Sequence, residues 1–284
     1  MKQYLPRIPL LTLTAGSIGI ALRFWLLLIG EDEKGLYPAP HISRVLLLLL
    51  TAGVLIGLFL TAAHAGKSRS YSTNFPASAL GALGYLFAGI FMLYSGSQHF
   101  SQGSLFLYPI TAVAGLVSGA VLLPGAWFRF RGKRPPYVVF ALPCVYFCLR
   151  LFCMGHTWGD EPEIDRFLFA FLATAASIPA LYQLWAFSVG QGKRATCLLC
   201  SLIAVYLCLV AVPGDREGLF YLAMAVFFFL NLCPAKPSPR RAAPAPAVET
   251  PPVNAPEDML PEQRDAEIDA LIAELMLQTE DFKE

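Results

Sequence analysis

Eight apolar segments occupy the first 233 residues and constrain the fold more than any other feature of this sequence. A bilayer core about 30 Å thick requires roughly 17 to 25 apolar residues per helix. Most of the segments reach that length with almost no charge, and we therefore predict an all-α integral membrane protein with about eight transmembrane helices. The predicted spans are residues 10–29, 45–63, 77–95, 105–123, 137–154, 167–189, 195–212 and 219–233, of which the last is the shortest.

The charged residues indicate how these helices are oriented. In an alternating eight-helix arrangement, 13 basic residues fall on one side, and only four fall on the other side, with the acidic loops. Because an excess of Lys and Arg marks cytoplasmic loops, both termini are predicted to be cytoplasmic. The acidic loops are then assigned to the outer face. Their main acids are Glu31, Asp32, Glu33, Asp160 and Glu161.

Two parts of the chain follow a similar pattern. The sequence Leu22-Arg23-Phe24-Trp25 and the sequence Leu149-Arg150-Leu151-Phe152 each precede an acidic loop. After each loop, an Ile-x-Arg sequence opens the next apolar run, at residues 42–44 and 164–166. Since each unit holds an even number of spans, the copies should run in the same direction. The pattern predicts two tandem four-helix units, residues 1–127 and 128–233.

The C-terminal part has a different composition. Residues 234–260 are rich in Pro and Ala, which predicts an extended flexible linker. Residues 261–284 then predict an acidic amphipathic helix with about six net negative charges. Its apolar face, which could dock into a groove on a cytoplasmic protein, consists of Ile268, Leu271, Ile272 and Leu275. The open alternatives are disorder, or docking on the chain's own basic loop, which contains Arg129, Arg131, Lys133 and Arg134.

Arg23 and Arg150 are the candidate ligand-binding residues. A cation inside a spanning helix costs at least about 2.5 to 3.5 kcal/mol at the bilayer centre, so it is usually retained for a reason. One interpretation is that both guanidinium groups face a cavity and hold an anion in a bidentate fork. The other is that each snorkels outward and pairs with acids of the outer loops, such as Glu31, Asp32, Asp160 or Glu161.

Catalytic and cofactor motifs are missing from the sequence. It contains no phosphate-binding loop, nucleophile elbow or HExxH motif. Cys197 and Cys200 have the CxxC spacing of many redox and metal sites. However, cysteine is also a common small apolar residue of buried helices. We therefore predict no enzymatic activity, no cofactor, no metal site and no nucleic-acid partner.

These observations favour two functional hypotheses. The first is a polytopic membrane binding, sensing or scaffold protein whose C-terminal helix docks on a cytoplasmic partner. The alternative is a transporter or lipid-handling protein for an anionic small molecule or headgroup, with the arginine pair as its binding site. Proton-driven transport is disfavoured because no Asp or Glu lies within the predicted spans.

Overall fold

The computed structural model describes residues 8–29, 42–63, 71–101, 106–158, 164–214 and 217–232. Within these ranges the regular secondary structure is helical throughout. Single 3-10 turns follow two of the helices, at His99–Ser101 and Val212–Gly214. The helices are α1 (Ile8–Ile29), α2 (Ile42–Ala63), α3 (Tyr71–Asn74), α4 (Ala79–Gln98), α5 (Leu107–Arg131), α6 (Val138–Trp158), α7 (Ile164–Val189), α8 (Arg194–Ala211) and α9 (Gly218–Leu232).

The predicted all-helical architecture is confirmed for this part of the chain and is compatible with a multi-pass membrane protein. Seven helices are long and apolar enough to cross a bilayer, namely α1, α2 and α4 to α8. The eighth predicted span corresponds to α9, which has only 15 residues. Since 15 residues rise about 22 Å at 1.5 Å each, α9 is shorter than the hydrocarbon core.

Helix α5 differs most from its predicted span. It continues through Pro124 and ends at Arg131, whereas the sequence predicted an end at residue 123. Proline is tolerated in a membrane helix because neighbouring groups can satisfy the freed carbonyl. The extension places Arg129 in the last helical turn and buries it. The predicted boundary at residues 127 and 128 therefore falls inside a helix.

The core of the bundle lies around α8, which packs against α7, α9, α1 and α2. Helices α4 and α5 form the most extensive helix pair, and glycines allow their backbones to approach closely. A Cβ on Gly119 would lie 2.7 Å from the Gly89 carbonyl oxygen, and one on Gly96 would lie 2.8 Å from the Leu116 nitrogen. This seam holds α4 and α5 as a tight pair.

The two predicted repeats pack in different ways. In the first, α1 and α2 contact each other and α8, while α4 and α5 contact α9 and α6, respectively. In the second, α6, α7 and α8 each contact the next helix in the chain. The tandem duplication stays a prediction.

The predicted linker, 234–260, and the predicted acidic helix, 261–284, lie outside the described residues, as do the predicted outer loops.

Candidate functional site: a buried arginine and glutamate

Arg150 lies in the second half of α6 and is almost fully buried, with 3% of its surface exposed. Its Nη1 donates to the carboxylate Oε2 of Glu217 at 2.6 Å and to the hydroxyl of Ser95 at 2.7 Å. Its Nη2 donates to the hydroxyl of Tyr221 at 3.2 Å. The guanidinium therefore has a counterion and neutral acceptors inside the protein.

Glu217 reaches this position because it directly precedes α9. Its backbone carbonyl accepts hydrogen bonds from the amides of Phe220 and Tyr221, so the residue begins the helix. Its side chain turns into the bundle and also accepts a 2.6 Å hydrogen bond from Ser95. Burial by itself would raise the pKa of this carboxyl. The Arg150 charge, with the hydrogen bonds from Ser95 and Arg150, lowers that pKa below its usual value, so Glu217 is ionised at neutral pH.

Aromatic and hydroxyl groups complete the surroundings of the pair. The hydroxyl of Tyr146, one helical turn before Arg150, lies 2.7 Å from the hydroxyl of Ser95. The ring of Phe220 lies 4.8 Å from the guanidinium carbon, within cation–π distance. His99 Nε2 lies 3.4 Å from Arg150 Nη1. The charges are thus enclosed by groups that either bond to them or exclude water.

This arrangement joins four helices at one end of the bundle, which we call the Arg150 end. Ser95 comes from α4, Arg150 from α6 and Glu217 from the start of α9. Thr174 of α7 joins the network through Tyr221, whose hydroxyl lies 3.1 Å away. Removal of one partner of a buried ion pair typically costs about 3 to 5 kcal/mol, because the remaining charge has no counterion. The pair is therefore placed to fix the packing at this end.

Arg23, the second predicted candidate, is also buried, with 2% of its surface exposed. Its guanidinium carbon lies 4.8 Å from the ring centre of Phe169 on α7. It packs so closely against Gly214 that no Cβ could be accommodated there. The structure thus brings both predicted arginines to the α8–α9 connection, Arg23 at Gly214 and Arg150 at Glu217.

The other predicted site residues belong to the outer loops and to the C-terminal segment. The acids Glu31, Asp32, Glu33, Asp160 and Glu161, and the apolar residues Ile268, Leu271, Ile272 and Leu275, all lie outside the described residues. Arg150 was predicted as a site residue, whereas its partner Glu217 was not. Glu217 is 67 residues away and falls between the predicted spans 195–212 and 219–233. Its one local signal is its position directly before a short apolar helix.

Comparisons with protein-family models, with curated proteins and with solved structures find no match to this chain. The functional interpretation therefore depends on the geometry of the chain itself.

Proposed function

We propose that this chain is a non-enzymatic multi-pass membrane protein that acts as a binding, sensing or scaffold component. The observation that carries the proposal is the ion pair of Arg150, whose guanidinium lies 2.6 Å from the Glu217 carboxylate. A guanidinium that is bonded to an internal counterion and to Ser95 and Tyr221 has little remaining capacity for a second anion. Such a pair is better suited to holding helices together than to carrying a substrate.

The proposed partner-binding element is the acidic segment 261–284 on the cytoplasmic side. Its apolar residues recur with helical spacing, and its net charge is about minus six. An apolar stripe flanked by acids fits a hydrophobic groove with a basic rim on another protein. The Pro-rich linker 234–260 would give this helix reach beyond the membrane surface.

A truncation tests this proposal. Deleting the residues after Pro239 removes most of the linker and the whole acidic segment, while every spanning helix stays intact. We expect membrane insertion to be unchanged and a crosslinked cytoplasmic partner to be lost. Leu271→Asp should have the same effect as the deletion. Ala273→Asp adds the same charge on the opposite helix face and should leave the crosslink intact. A crosslink that survives both the deletion and Leu271→Asp would overturn the proposal.

The alternative is a transporter or lipid-handling protein for an anionic small molecule or headgroup. The position of Arg23 and Arg150 at one connection favours it, but Glu217 would have to release Arg150 before an anion could bind. Under this alternative, the truncated protein keeps its anion flux in proteoliposomes. Arg150→Lys and Arg23→Lys would then abolish the flux, because lysine cannot form the bidentate fork.

A further inference from the structure

A second buried arginine lies at the opposite end of the bundle, which we call the Arg129 end. Arg129 belongs to the last turn of α5 and is 1% exposed. Its Nη1 donates to the carbonyl oxygen of Pro76. Its Nε and Nη2 are buried and have no hydrogen-bond partner among the described residues. These two nitrogens form one edge of the guanidinium, the edge that binds carboxylates and phosphates in a bidentate manner.

The beginning of α4 lies directly against this edge. Ser78 caps that helix by accepting a 3.0 Å hydrogen bond from the Gly81 amide. A Cβ on Gly81 would lie 2.7 Å from Arg129 Nε, so the guanidinium crosses the first turn of α4. The N-terminal turn of a helix carries partial positive charge and favours an anion. Two sources of positive potential therefore meet at the same place.

Tyr71 of α3 adds a third donor. Its hydroxyl is buried, lies near the hydroxyl of Tyr85, and has no partner in hydrogen-bond geometry within the described residues. Burial raises the pKa of Tyr71 to about 12, although the Arg129 charge and the Tyr85 hydroxyl lower it in part. The phenol is therefore neutral and can donate, but it cannot act as a counterion for Arg129.

No carboxylate in the described part of the chain pairs with Arg129. The groups that act electrostatically on it are the two phenols, Tyr71 and Tyr85. The ring of Phe75 lies 5.7 Å from the guanidinium carbon and contributes only a cation–π contact. The Arg129 end thus contains a buried positive charge, a helix N-terminus and three donors that have no hydrogen-bond partner among the described residues, a combination that favours an anion.

We propose that Arg129 and Tyr71 bind a phosphate group, with Arg129 Nε and Nη2 as a bidentate fork and the Tyr71 hydroxyl as the third donor. The inference goes beyond the scaffold proposal and is independent of the C-terminal helix. The guanidinium edge has no accessible surface in the structure, so phosphate binding requires neighbouring groups to move.

The depth of the site identifies a lipid headgroup as the source of the phosphate. The exposed Trp127 ring lies beneath Arg131, whose guanidinium carbon is 4.0 Å from the ring centre. Tyr137 is also exposed at this end. Exposed aromatic side chains at helix ends mark the membrane–water interface, where lipid phosphates lie. Nearby exposed cations, which would attract anionic lipids, are Arg131, Lys133, Arg134, Lys193 and Arg194.

Calorimetric titration of the full chain in neutral detergent tests the proposal. The probes are dihexanoyl phosphatidylglycerol, dihexanoyl phosphatidylcholine and inorganic phosphate. We expect phosphatidylglycerol to bind more tightly than either of the others. Tyr71→Phe should weaken this binding about tenfold by removing one hydrogen bond to a charged group, and Arg129→Gln about a hundredfold by removing the fork. The matched control, Arg131→Gln, removes an exposed charge at the same end and should change the affinity by less than about twofold.

Each outcome decides a part of the proposal. Phosphatidylglycerol binding that depends on Arg129 and Tyr71 supports a lipid headgroup site. If inorganic phosphate binds as tightly with the same dependence, the site is supported and the lipid source is overturned. If Tyr71→Phe binds like the parent protein and Arg131→Gln does not, binding is a surface effect and the site is overturned. Because Tyr71→Phe preserves the buried ring, this result remains decisive even if Arg129→Gln fails to fold.

Discussion

Each end of the bundle buries an arginine side chain, but only the arginine at the Arg150 end has a carboxylate counterion among the described residues. Arg150 is 3% exposed and meets the carboxylate of Glu217 at 2.6 Å. Arg129 is 1% exposed and has one carbonyl acceptor, with two nitrogens unused among the described residues. Burial alone therefore does not reveal what an intramembrane arginine does. The nearest counterion distinguishes a charge that holds helices together from a charge that can recruit a ligand.

Loss of either partner at the Arg150 end should have the largest effect. Glu217→Gln leaves the Arg150 guanidinium buried without a counterion. Arg150→Met leaves the Glu217 carboxylate buried without one. We expect each change to reduce the free energy of unfolding by about 3 to 5 kcal/mol. Reversible unfolding of the detergent-solubilised protein in SDS would measure this loss. A loss below about 1 kcal/mol for both variants would remove the contrast between the two ends.

Protonation of Glu217 should reproduce that loss in part. Its pKa is lowered in the folded state relative to the unfolded value near 4.5, so the folded protein binds fewer protons. The stabilisation by the ion pair is therefore fully present above about pH 5 and declines as the pH falls through the folded pKa. Unfolding at pH 7, 5 and 4 should show a decline for the parent protein that exceeds the decline for Glu217→Gln. Parallel pH profiles would show that Glu217 does not contribute.

The α4–α5 seam connects the two ends, and a change there should have an intermediate effect. Gly119→Ala places a methyl group 2.7 Å from the Gly89 carbonyl oxygen and forces the backbones apart. We expect a loss of about 1 to 3 kcal/mol, as for other overpacked sites. Gly57→Ala in α2 is the matched control, since nothing lies within 4 Å of the added atom. If both variants have the stability of the parent protein, the close approach of α4 and α5 at Gly119 does not contribute to stability.

The smallest stability effect is expected from Arg129→Met. This change removes a buried charge that has no carboxylate partner in the described residues, and it replaces the side chain with an apolar one of similar length. We expect the free energy of unfolding in lipid-free detergent to change by less than about 1 kcal/mol, because the lost interactions are offset by the avoided desolvation. Destabilisation as large as that of Arg150→Met would mean that Arg129 has an internal counterion.

The spans were predictable from the sequence because a bilayer imposes a minimum apolar length, and charged residues mark where each run stops. The end of α5 was not predictable in this way, because Pro124 and the basic residues after it resemble the start of a loop. That error explains why Arg129 was counted as a loop cation. In the structure, α5 continues past the proline and carries Arg129 into contact with Gly81.

The ion pair was only half predictable. Arg150 stood out because a cation within an apolar run is costly, whereas Glu217 stood in a short polar stretch with other charges. Nothing in the local sequence joins residues that are 67 positions apart. Their contact depends on the tertiary arrangement that brings α6 and the start of α9 to one place, which single-sequence periodicity does not encode. The same reason concealed Ser95, a small hydroxyl residue in α4 that donates to the Glu217 carboxylate and accepts from Arg150.

A double-mutant cycle between Arg150 and Glu217 tests most directly whether the Arg150 end is neutralised by this pair. The free energy of unfolding would be measured for the parent protein, Arg150→Met, Glu217→Gln and the double variant, under one set of conditions. Because the double variant leaves no unpaired charge, we expect it to be more stable than the sum of the single losses implies, with an interaction energy of about 2 to 3 kcal/mol. Additivity within about 0.5 kcal/mol would contradict the account.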